Sequence, residues 1–161
     1  MKRFITILLV LMLMLTALTA CGGKDDSAPV KELDLEAVYQ SILDAQGDAA
    51  QDIAMLPETS PEIIESFYAG LGDIELKQEV LYMHPVTGAP TEVMLVEVAN
   101  ADDVQAVVDI FNARIEFGAD DEFYPDNAAG WQNNAQVQTD GNYVAMIVLP
   151  DEFTIPENVF A

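Results

Sequence analysis

The period of the hydrophobic positions changes along the chain, and each change marks an element. Leu35, Val38, Tyr39, Ile42 and Leu43 recur at helical spacing, which predicts a helix capped by Asp34 and ending near Gly47. Thr59-Ser60-Pro61-Glu62 supplies a capping hydroxyl and an early proline, so a second, short helix is expected to carry Ile63, Ile64, Phe67 and Tyr68 up to Gly70 and Gly72. The period then becomes two. Ile74, Leu76, Gln78, Val80 and Tyr82 alternate with Glu75, Lys77, Glu79 and Leu81, as in a strand with one buried face. His84 to Pro90 is turn material, and Glu92 to Val98 completes a hairpin.

Asn100 to Asp103 opens the clearest helix, in which Val104, Val107, Val108, Phe111 and Ile115 share a face. Asp102 and Asp103 suit the positive end of its dipole, and Arg114 is expected in its last turns, where a cation is favoured. Gly118 to Gly130 is predicted as a loop of acids and aromatics. Ala135 to Thr139 and Tyr143 to Leu149 form a second hairpin around Asp140-Gly141-Asn142. Its last strand is nearly all apolar, so it should be central or covered on both faces. The order α-α-β-β-α-β-β over residues 34–161 predicts an α+β domain: an antiparallel four-stranded sheet made of two hairpins, with helices packed mainly on one face.

The first twenty residues carry another message. Lys2-Arg3, an apolar run from Phe4 to Leu18 and then small residues make the three-part pattern of an export signal. The run is shorter than the ~20 residues a membrane-crossing helix needs. Leu18-Thr19-Ala20-Cys21 resembles the bacterial lipobox, in which diacylglycerol is attached to the thiol and the chain is cut just before the cysteine. Cys21 is the single cysteine and falls at that boundary, so it is the expected lipidation site, with residues 1–20 removed. Two or three acyl chains, palmitate among them, would hold the protein to the outer face of the cytoplasmic membrane. Residues 21–33, rich in Gly, Ser, Pro and charge, read as a flexible tether whose reach is on the order of 20 Å.

Charge narrows the partners. The 161-residue chain has 28 acidic residues against 6 basic ones, a net charge of -22, with 51% hydrophobic residues. Loss of Lys2 and Arg3 with the signal leaves four cations, Lys24, Lys31, Lys77 and Arg114, against 28 acids, a net of -24. Nucleic acid is excluded as a partner, because a phosphate backbone is bound through clustered cations. Anionic headgroups would repel such a body, leaving the acyl chains to hold it at the bilayer, while a basic protein or a wall component would be drawn to it.

Little in the sequence points to catalysis. Ser27, Ser41, Ser60 and Ser66 lie in the tether or in helices, outside any nucleophile motif, and His84, the sole histidine, precedes Pro85 in a turn. No cofactor motif is present, and a zinc site lacks ligands. Asp120, Asp121, Glu122 and Asp126 offer oxygens to calcium, without the spacing or central glycine of an EF-hand loop. Tyr124, Trp131, Asn133 and Asn134 form the one candidate ligand platform: rings to stack on a sugar and amides to bond its hydroxyls, or else a structural plug at the sheet edge. The expectation is a non-catalytic binding or interaction domain. A wall-glycan or small-ligand binder using this loop, or a carboxylate-based envelope hydrolase, stands as the alternative.

From Tyr68 to Leu149 the chain resembles bacterial lipoproteins of the domain-of-unknown-function family 4358. The matching features are Asp73 to Gln78, Val96 to Val104, Ile110 to Arg114, Gly130-Trp131 and Gly141 to Val144. The resemblance implies an envelope lipoprotein with a small α+β domain, often of Gram-positive type. It implies no activity, ligand or catalytic residue.

Overall fold

Residues 32–161 are described by a computed structural model. The signal segment, Cys21 and all of the tether before residue 32 lie outside these residues. Asp34 caps the first helix, α1 (Leu35–Asp44), by accepting from the backbone N–H groups of Glu36 at 3.0 Å and Ala37 at 3.4 Å. A 3-10 turn leads into α2 (Ala50–Ala54), and Pro61 starts α3 (Pro61–Phe67). The first hairpin is β1 (Leu76–Met83) and β2 (Glu92–Val98). After α4 (Val104–Ala119) and α5 (Pro125–Asn134) comes the second, β3 (Gln136–Asp140) and β4 (Tyr143–Val148).

The four strands form one antiparallel sheet in the order β1-β2-β4-β3. The two apolar strands, β2 and β4, pair with each other at its centre. Gly141 has φ +57° at the first position of the two-residue β3–β4 turn, the positive value that a II′ turn requires there.

Both faces of the sheet are covered. On one, Val80, Val93, Leu95, Ala145 and Ile147 pack under α1, α2 and the C-terminal Phe160. On the other, Leu81, Met94, Val96, Val144 and Met146 pack under α3, α4 and α5, the larger share of the helices. The α+β sheet of two hairpins with helices mainly on one face is therefore the observed architecture. A bulge turns the start of strand β1 to the opposite layer: the register shifts between Leu76 and Gln78, so Leu76 packs with the α4 layer while Val80 and Tyr82 pack with the α1 layer. Strict alternation would have kept all three on one face.

Gly118 to Gly130 departs from the expected loop. Helix α4 continues to Ala119, only a short turn follows, and α5 takes up the rest. The two glycines that suggest breaks are contact points inside helices. A Cβ at Gly118 would stand 2.4 Å from Cδ2 of Trp131, and one at Gly130 would stand 2.6 Å from Cγ of Pro90. Arg114 is likewise not a dipole cation at a helix end: it lies inside α4, 1% exposed, on a stripe with Val107, Phe111 and Gly118. Among the described residues no helix is long and apolar enough to cross a membrane.

Candidate functional site

Two features stand out: a sealed polar cluster and an open groove beside it. The cluster begins with Glu92, the first residue of β2, whose parity sends its side chain to the α4 face. Arg114 meets it as a fork. Its Nη2 donates to Glu92 Oε1 and its Nε to Oε2 at 3.3 Å, while Nη2 also donates to the carbonyl of Thr87 at 2.6 Å. Tyr68, which caps the C-terminus of α3, donates its hydroxyl to Glu92 Oε2. Both charged side chains are 0% exposed.

Aromatic rings enclose the guanidinium. Its Cζ lies 4.3 Å from the ring centroid of Trp131, 5.1 Å from that of Phe67 and 5.8 Å from that of Phe117. A planar, weakly hydrated cation suits such a cage, whereas the compact charge of lysine would lose both the fork and the stacking. The indole N–H of Trp131 donates to the carbonyl of Gly88 at 3.2 Å. Five segments thus converge: the end of α3, the loop before β2, the start of β2, α4 and α5. Burial lifts the Glu92 carboxyl above its usual value, although Arg114 and Tyr68 pull it back down. Burial and the neighbouring carboxylate push the Tyr68 hydroxyl well up, so it stays a donor. Arg114 Nη1 is buried without a hydrogen-bond partner.

The groove lies along the outer edge of β1 and has a volume of about 880 Å³. Ile64 and Ile74 line one wall, with the ring of Tyr68 between the groove and the cluster behind it. Residues 57–59 cover one end of the strand: Thr59 donates its N–H to the carbonyl of Leu81 at 2.7 Å, and Met83 donates to that of Pro57 at 3.3 Å. Backbone groups alternate sides along a strand. Glu79 therefore turns its N–H and C=O outward, as Leu81 does its N–H, beyond that cover. Glu36, Glu58, Glu65, Asp73 and Glu79 line this groove, and no Lys or Arg does. The hydroxyl of Thr59, in the same wall, is buried without a partner.

The ligand-platform residues singled out in the sequence lie on one helix, α5, or at its start, but do not share an open face. Trp131 is 0% exposed, so neither ring face is open to a sugar, whereas Tyr124 is 63% exposed at the start of α5. Asn133 is exposed. Asn134 spends its amide on the carbonyl of Leu149 at 3.1 Å and on Asp151 at 2.7 Å. Asp121 accepts from the N–H groups of Phe123 at 2.9 Å and Tyr124 at 3.1 Å, which shapes the turn into α5. Asp120, Glu122 and Asp126 are exposed, and among the described residues no three carboxylate, His or Cys side chains gather as metal ligands. His84 accepts from the N–H of Val86 at 3.0 Å within its turn.

Sequence reasoning missed the Glu92–Arg114 pair, though a signal existed. Arg114 is the only arginine after position 3, and it falls four and seven residues after Ile110 and Val107 on an otherwise apolar helix face. The family comparison covers the cluster whole. No curated protein matches the chain, and no solved structure does. The family described as Domain of unknown function (DUF4358) matches residues 49–149, more than half of the chain, with Tyr68, Glu92, Arg114, Trp131 and all of β1 inside the match. The chain belongs to that family.

Proposed function

We propose that the protein is a lipid-anchored, extracytoplasmic lipoprotein whose α+β domain acts by binding and not by catalysis. The observation that carries this reading is Leu18-Thr19-Ala20-Cys21, with the single cysteine directly after the apolar run. The binding half draws support from the domain. Its one fully buried carboxylate is held by Arg114 and Tyr68, while the groove beside it lies open at a sheet edge. An enclosed Trp131 takes the stacking surface away from the sugar-platform alternative.

Mass spectrometry of the mature protein tests the anchor. The expected N-terminus is Cys21 carrying diacylglycerol, with the protein in the membrane fraction and Cys21→Ser released from it. An unmodified thiol, or a cytosolic wild-type chain, would overturn the anchor. Cross-linking on intact cells at low salt tests the binding half: a protein partner is expected, and recovery of membrane lipid alone would overturn it.

A further inference from the structure

We infer that the groove along β1 takes an extended, cationic segment of a partner protein as an added strand. The inference rests on the binding reading above and names the partner's chemistry. Strand addition needs an unfilled sheet edge, and β1 is one: its outward groups at Glu79, and the N–H of Leu81, face the groove past the cover of residues 57–59. The groove lies where such a strand would run, between Glu36 of α1 on one side and α3 with the turn at Gly70 to Ile74 on the other. Its size holds several residues of extended chain.

Charge selects the sequence of that segment. Five carboxylates line the groove without a cation among them, and Lys77, the one Lys or Arg exposed in residues 32–161, is engaged with Glu97 at 3.2 Å. Side chains of an added strand alternate between faces. Lysines or arginines on the incoming strand would meet Glu79, Glu65 and Asp73 on the α3 side or Glu36 on the α1 side. Apolar residues between them would turn to the opposite face, meeting Val80 and Tyr82 on the α1 side or Ile64 and Ile74 on the α3 side. A second copy of this chain is a poor occupant, because its own edge is acidic too.

The test uses the full chain in detergent and a ten-residue peptide alternating lysine and valine. A control peptide keeps every lysine but replaces two valines by proline, which removes strand donors at equal charge. The alternating peptide is expected to bind at least tenfold tighter than the control, and to slow amide exchange at Glu79 and Leu81. Glu79→Pro removes an outward N–H without touching the β1–β2 ladder, and should lower affinity at least tenfold, against threefold or less for Glu79→Gln. Gly72, where a Cβ would meet nothing within 4 Å, allows Gly72→Trp to fill the groove from the opposite wall should the proline variant fail to fold. Equal binding of the two peptides, or unchanged exchange at Glu79 and Leu81, would overturn the strand-addition inference. If cross-linked cells still yield a protein partner then, the binding reading survives and only the groove falls. If they yield none, both fall.

Discussion

Arg114 and Glu92 show how much one pair of side chains can be asked to hold. Removing a single member of a buried, bidentate pair costs about 3–5 kcal/mol, because the other charge keeps its desolvation penalty without its partner. Arg114→Met is therefore expected to lower stability by about that much in urea melts, with Glu92→Met/Arg114→Met recovering a good part of it. The pH dependence follows from Glu92. Its folded value is raised, so the folded chain binds that proton more tightly than the unfolded chain does. The stabilisation tied to the proton is complete below a pH of about 4 and is lost as pH rises through the raised value. The stability of the wild type minus that of Glu92→Gln, measured across pH, should accordingly decline upward from there and then level off. A difference that grew with pH would contradict the sign. In Arg114→Met the decline should steepen, since the carboxyl has then lost the cation that held its value down.

At the scale of elements, the contact between α4 and α5 depends on the absence of a side chain. Trp131 lies against Gly118 so closely that a Cβ cannot fit without moving the indole. Gly118→Ala should cost roughly 1–3 kcal/mol by overpacking. Because Trp131 is the single tryptophan, its emission should shift to the red as the ring is pushed out of its enclosure. Unchanged emission would mean that the helices part elsewhere. The same glycine explains where sequence reading stopped short. Helical spacing, caps and the II′ turn are local, and they made α1, α3, both hairpins and the sheet legible. Gly118 and Gly130 carry identical letters to a chain break, and only the positions of Trp131 and Pro90 reveal them as close approaches. The Lys77 bulge and the Glu92–Arg114 pair, 22 residues apart in the chain, were hidden for the same reason: each exists only once distant elements meet. Of the candidate site, the sequence made its charge legible and not its shape, because a groove at a strand edge is a product of packing.

For the whole molecule, charge of one sign is the dominant surface property. Outside the sealed pair, residues 32–161 present Lys77 as their one Lys or Arg. Self-repulsion of such a body works against the compact state, and salt screens it over about 10 Å at 0.1 M. Raising sodium chloride from 10 mM to 500 mM should thus raise Tm of the full chain by a few degrees, read by calorimetry. The same change should weaken binding of the lysine–valine peptide. A Tm that fell with salt would mean that ion pairs outweigh the repulsion.

The position of Glu92 also has a kinetic meaning. It opens β2, yet the cation that permits its burial comes from α4 and arrives 22 positions later. Until that helix docks, the hairpin must leave its first β2 residue wet, because stripping water from a lone carboxylate is costly. Closure of the sheet's α4 face and arrival of the arginine are then one event in folding, and a nascent chain that ended before Arg114 would be left with a hairpin it could not finish.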